Sequence, residues 1–178
     1  MKLLRTIRLD ASDTFVFERA AEPGEWAVPG TFAFACVDPA TLEGKARAAF
    51  RSGFLGIDSF GWSTLVQVVE ASEADRAAAV QLLARRLVER FGAPDLAAAL
   101  PAAEEEIAFA ASLCDHPTGM LAALSRRWED GAIREAFRTL TPAAGPKPLS
   151  AYAFLEVVGE DEPGEDVDLM NLGKGEKS

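Results

Sequence analysis

The chain is predicted to be α+β: a mostly antiparallel sheet with two or three helices packed on one face. Three observations carry that prediction. Strand-like runs sit at both ends of the sequence, and two helical patterns follow one another near the middle. The connections between them are too short for a doubly wound parallel sheet.

Taken in order, Leu3, Arg5, Ile7 and Leu9 alternate with Lys2, Leu4, Thr6 and Arg8, a first strand. A turn at residues 10–13 leads to Thr14-Phe15-Val16-Phe17-Glu18, whose aromatic and β-branched content predicts a second strand and a hairpin. After Glu22-Pro23-Gly24 come a short Trp26-Ala27-Val28 run, a Pro29-Gly30 turn and an apolar strand over 31–37, which carries Cys36. Asp38 before Pro39 predicts a helix start, with Leu42, Ala46, Ala49 and Phe50 on one face and Gly53 as its stop. Residues 54–61 are turn-like, and 62–69 form the clearest strand.

The best helix begins at Ser72, with Asp75 completing a capping box, and ends at Gly92. Its apolar face is Val80, Leu83, Leu87 and Phe91. Residues 95–100 predict a further helical turn or two. Pro101 opens another helix, with Glu104, Glu105 and Glu106 in its first turns and His116-Pro117 at its end. Residues 120–140 fit either a helix or a hairpin. The hairpin is favoured, because Glu129-Asp130-Gly131-Ala132 is a good two-residue turn and Asp-Gly is a misfit inside a helix. A proline-rich loop and a last strand over 152–158 complete a single domain spanning 1–158.

Residues 159–178 read as an acidic, disordered tail, with seven acids against two lysines. That tail carries half of the net charge of −10. An acidic balance of this size disfavours nucleic acid, which gains affinity from Lys and Arg neutralising phosphates. The Arg85-Arg86 and Arg126-Arg127 pairs read as solvated charges. No run approaches the roughly 18 apolar residues of a membrane span, and the N-terminal residues do not read as a signal peptide. The expectation is a bacterial-type cytosolic protein with neither nucleic-acid nor membrane partners.

The inventory for chemistry is thin. His116 is the single histidine, and Cys36 and Cys114 are the two cysteines, both read as reduced, buried thiols. Cys36, Cys114 and His116 could supply three metal ligands, but a fourth is not identifiable, and zinc sites usually present closely spaced ligand pairs. The structural reading makes Cys114 a core residue and His116 a helix C-cap. Three consecutive glutamates on a helix point about 100° apart and do not converge on an ion. The loop Phe54-Leu55-Gly56-Ile57-Asp58-Ser59-Phe60-Gly61-Trp62 is a candidate ligand site, with Asp58, Ser59 and Trp62 as the orienting groups. No phosphate-cradling glycine motif and no nucleophile elbow occurs, so no cofactor is expected.

The stretch Glu129-Asp130-Gly131-Ala132-Ile133-Arg134-Glu135-Ala136-Phe137-Arg138, with the 56–62 loop, resembles small bacterial proteins of a family of unknown function. The resemblance covers most of residues 1–158. It implies an accessory protein and transfers no functional residue. The chain is accordingly expected to be a non-catalytic accessory or protein-interaction domain with a protein partner, and homo-oligomers are compatible with it. The alternative is a small-molecule binder or modest enzyme with a pocket near Asp58, Ser59 and Trp62.

Overall fold

The structure, a computed structural model, describes residues 1–142 and 155–161. It is α+β, as predicted. One antiparallel sheet runs through eight strands in the order β4-β3-β2-β1-β5-β6-β7-β8. The strands are β1 (Lys2–Ile7), β2 (Trp26–Val28), β3 (Phe54–Gly56), β4 (Trp62–Ser63), β5 (Leu65–Glu70), β6 (Leu121–Glu129), β7 (Ala132–Pro142) and β8 (Leu155–Asp161). The helices are α1 (Ser12–Val16), α2 (Gly44–Ser52), α3 (Glu73–Phe91) and α4 (Leu96–Ser112). Helices α3 and α4 form an antiparallel pair whose α4 member lies against β1 and β2, while α2 packs on β6.

The main core joins Leu4, Val66 and Val68 of the sheet to Leu83 and Leu87 of α3 and Ala103 and Ile107 of α4. A smaller core gathers Phe17, Phe34, Ala49 and Phe50, with Trp62 and Ile133 against it. The capping box at Ser72 and Asp75 is formed, and Gly92 ends α3 in the left-handed conformation. The 120–140 region is the hairpin. Asp130 and Gly131 have φ of 50° and 75°, the two left-handed residues a type I′ turn requires.

Several expectations are corrected by tertiary contacts. Residues 14–18 are not a strand: the chain forms α1 and then buries Phe17 fully, leaving Phe15 outside. Asp13 of α1 accepts bonds from the backbone N–H and hydroxyl of Thr64. Those bonds hold Thr64 off the ladder and divide the 62–69 run into β4 and β5. Residues 31–34 form a 3-10 turn rather than a strand, because Thr31 and Phe34 are drawn to the buried Arg126. Cys36 therefore lies beyond a turn, not on a strand, and is exposed rather than buried. Asp38 does cap Ala40, but of a second 3-10 turn; α2 begins later, at Gly44. Residues 54–56, expected in a turn, are a fully buried strand.

Helix α4 starts at Leu96, capped by Asp95, and runs through Pro101 without a break. A proline inside a helix costs about 3 kcal/mol. Good alanine propensity and burial of Ala99, Ala103, Ile107 and Ala110 offset it. The three glutamates are thus mid-helix, not in a first turn, and the helix ends at Ser112, before His116. Strand β8 overlaps the expected last strand and continues to Asp161; the rest of the expected tail lies outside the described residues.

Candidate functional site

The central polar site is built around Arg126. The two-residue turn at Asp130-Gly131 sets the register of β6 and β7 so that Arg126 faces Glu135, Leu124 faces Phe137 and Trp128 faces Ile133. Period-two alternation puts these pairs on one face of the hairpin. Arg126 is 2 % exposed, and a guanidinium so deep must have its donors met. Its Nε donates to Glu135 Oε1 at 2.9 Å and to Thr31 Oγ1 at 3.0 Å. Its Nη1 donates to the carbonyls of Gly53 (2.9 Å), Phe50 (3.1 Å) and Ala49 (3.4 Å), and Nη2 donates to the carbonyl of Pro29. The Phe50 carbonyl belongs to the last turn of α2, where helix acceptors lack an intrahelical donor, while the Ala49 carbonyl also accepts the Gly53 N–H. Arg126 therefore caps α2 from another strand and places a positive charge at the negative end of its dipole. The guanidinium also lies 5.5 Å from the Phe34 ring, which stacks on Trp62 at 5.2 Å.

Two carboxylates serve this arginine unequally. Glu135 is its direct partner and also accepts the Thr31 hydroxyl. Glu106 of α4 accepts the Gly30 N–H at 3.2 Å. Burial holds the Glu106 carboxyl above its ordinary range, and the Glu135 charge adds to that; the Gly30 N–H and Arg126 act against it. Burial also pulls Arg126 downward, against the Glu135 contact that supports its charge. One carboxylate tied to a cation beside another that resists ionisation is a pairing that can serve acid–base chemistry, and it is equally what a buried structural network produces.

The second polar site is the predicted 56–62 loop, and its organiser is Glu25. One carboxylate oxygen accepts the backbone N–H groups of Asp58 (2.7 Å) and Ser59 (2.8 Å). The other accepts the Glu22 N–H at 2.7 Å and the Ser59 hydroxyl. Gly56 makes the approach possible, since a Cβ there would stand 2.5 Å from the Glu25 carboxyl carbon.

Asp58 turns its own carboxylate outward to Arg86, at 3.1 Å and 71 % exposed. Trp62 is half-buried on the other side, against Phe34 and Gly53. The loop thus brings Asp58 and Ser59 together on Glu25, while Trp62 belongs to the Arg126 surroundings. Phe60, at φ 58°, is a bulky residue in the left-handed region, a strained conformation that the loop imposes. Its ring meets Phe91 at 5.7 Å, Phe91 meets Phe32 at 5.3 Å, and Arg90 lies over Phe60 at 5.2 Å.

Cys114 is buried just past α4, where its thiol donates to the Ala110 carbonyl and burial pushes its pKa up to about 11. His116 lies in the following turn and its carbonyl accepts Lys2 Nζ at 2.7 Å. Cys36, Cys114 and His116 are not brought together: among the described residues no group of three or more His, Cys, Asp and Glu could hold a metal ion. No helix among them is long and apolar enough to cross a membrane.

Glu25, Thr31, Glu106, Arg126 and Glu135 were not candidates on sequence grounds. For Arg126 and Glu135 a signal existed, because an Asp130-Gly131 turn sets them opposite one another on the face that carries Leu124 and Phe137. For Glu25 and Glu106, whose partners lie 34 and 76 residues away, none did.

No curated protein and no solved structure matches this chain. The model of a family of unknown function, DUF6505, matches residues 1–154, and the chain belongs to that family.

Proposed function

We propose that this chain is a non-catalytic accessory domain of a bacterial cytosol that binds a protein partner through the surface formed by Phe32, Phe60 and Phe91. The observation that carries this reading is Phe60. A large aromatic residue held at φ 58° is costly, and strain of that kind tends to persist where a side chain must be presented. Its neighbour Phe91 is 43 % exposed, and Arg90 stacks on the same ring. Aromatic rings with an arginine are the usual energetic centre of a protein interface. The chemistry-bearing groups nearby are already committed within the fold, Glu25 to the loop N–H groups and Arg126 to α2. The Cys114 thiol, pushed up to about 11, is a poor nucleophile at neutral pH.

The partner expected on this surface offers an apolar anchor with carboxylates beside it, to meet the rings and Arg90. Quantitative affinity capture with the wild-type chain and with Phe91→Asp tests it. The wild type should enrich a defined partner that the variant loses at least tenfold while keeping its thermal midpoint. Equal enrichment by both chains, or none above a tag-only control, would sink the reading.

A further inference from the structure

Three consecutive residues, Pro29, Gly30 and Thr31, are each held by a charged side chain. Arg126 donates to the Pro29 carbonyl, Glu106 accepts the Gly30 N–H at 3.2 Å, and Glu135 accepts the Thr31 hydroxyl. The Gly30 carbonyl accepts the Ala33 N–H at 3.1 Å, so the 3-10 turn that carries Phe32 begins on a tethered residue. The Phe32 ring in turn meets Phe91 edge-on. Gly30 has little room to drift: its φ is 75°, and a Cβ there would stand 2.5 Å from the Leu55 Cβ and 3.3 Å from the Trp62 ring. A displacement at Gly30 therefore passes along the turn to Phe32.

Glu106 differs from the other two anchors. Arg126 and Glu135 neutralise one another at 2.9 Å, whereas Glu106 bonds only a backbone N–H among the described residues. The charges that face it are Glu135 on β7 and Arg126 on β6, and they act in opposite directions. The other elements beside α4, namely α3, β1 and β2, contribute none among the described residues. Burial, helped by Glu135, holds the carboxyl above the ordinary carboxylate range. An ionised carboxylate makes a shorter and roughly twofold stronger bond to an N–H than a neutral acceptor does.

We propose that Glu106 is a proton-operated tether: ionised, it draws in Gly30 and fixes Phe32 in the aromatic surface, and protonated, it lets the 3-10 turn loosen. The consequence for binding rests on the docking role of Phe32, Phe60 and Phe91. Under that role, ionised Glu106 keeps Phe32 ready for the partner.

A nuclear magnetic resonance titration of the full-length chain from about pH 4 to about pH 8 tests the tether with no partner present. The Glu106 carboxyl carbon, the Gly30 amide proton and the Phe32 ring protons should move with one shared midpoint. The Gly30 amide should move downfield as the acid ionises, and magnetisation transfer between the Phe32 and Phe91 rings should strengthen. Glu106→Gln keeps a neutral acceptor, so it should abolish the Gly30 and Phe32 titrations and leave both signals at their low-pH positions. Glu105→Gln, at an exposed neighbouring position, should leave them intact. The shared midpoint is read in the wild type, so the test stands even where the Gln variant is unstable. Phe32 signals that stay fixed while the Glu106 carboxyl titrates would overturn the proposal, and so would a Phe32 titration that persists in Glu106→Gln. Either result leaves the docking reading untouched, because that reading fails on the Phe91→Asp capture alone.

Discussion

Arg126 Nε and Glu135 Oε1 are 2.9 Å apart across the β6–β7 ladder, and the same guanidinium reaches the carbonyls that end α2. One side chain thus joins the sheet, a helix C-terminus and the 3-10 turn at Thr31. The arrangement fixes the smaller core, because Phe34 and Phe50 are held from both sides of it.

Removing that side chain should be among the most damaging single changes in the domain. Arg126→Ala strands the Glu135 carboxylate and several buried carbonyls, and breaking a buried pair from one side costs roughly 3–5 kcal/mol. Urea unfolding should show a lower midpoint for Arg126→Ala. Arg126→Lys should recover only part of the loss, since one ammonium cannot reach acceptors arrayed around a planar fork. Equal midpoints for wild type and Arg126→Ala would mean the network contributes nothing net.

Glu25 has a comparable role in the 56–61 loop, at smaller scale. Glu25→Ala leaves the N–H groups of Asp58 and Ser59 without their acceptor. Water can reach the half-exposed site, so a loss of about 1–3 kcal/mol is expected, in the range for removing one partner of hydrogen-bonded groups. The specific readout is amide exchange: Asp58 and Ser59 should lose protection well before the strands do. Unchanged protection at both amides would show that Gly56 and Gly61 shape the loop without the carboxylate.

The fold was legible where local signals agreed with burial. The capping box at Ser72, the stop at Gly92 and the Asp130-Gly131 turn each carry their own backbone instruction, and each is realised. Expectations failed where a distant partner overruled propensity. Asp13 breaks a strand at Thr64, fifty-one residues away, and Arg126 draws Thr31 out of a β-prone run across ninety-five. The polar sites followed the same rule. Asp58 and Ser59 were found because they share a loop rich in glycine and aromatics, yet their acceptor Glu25 sits in an ordinary turn sequence. An arginine next to another arginine looks solvated until hairpin parity sends Arg126 inward and Arg127 outward.

The two cysteines should separate cleanly in thiol chemistry. Cys36 is exposed, whereas Cys114 is buried with a thiol pushed up to about 11. Titration of the native chain with a disulfide reagent near neutral pH should modify Cys36 alone and promptly. Cys114 should react only after denaturant is added. Rapid labelling of Cys114 in the native state would contradict its placement behind α4.

Glu106 supplies the pH dependence. Burial, helped by the Glu135 charge, holds its native pKa above the ordinary value of 4.5. The folded chain therefore keeps this proton to a higher pH than the unfolded chain does. By linkage, the protonated acid's contribution is fully present below the ordinary value and is lost as pH rises through the native one. Glu106→Gln retains an oxygen to accept the Gly30 N–H and removes the titration. Urea unfolding of both proteins from about pH 4 to about pH 7 should show the variant gaining on the wild type as pH rises, with the change confined to the window just above the ordinary carboxyl range. The gain should shrink in Glu135→Gln, where the neighbouring charge that opposes ionisation is gone. A difference between the two proteins that stays flat across the whole range would mean that Glu106 ionises in the fold as freely as in the unfolded chain.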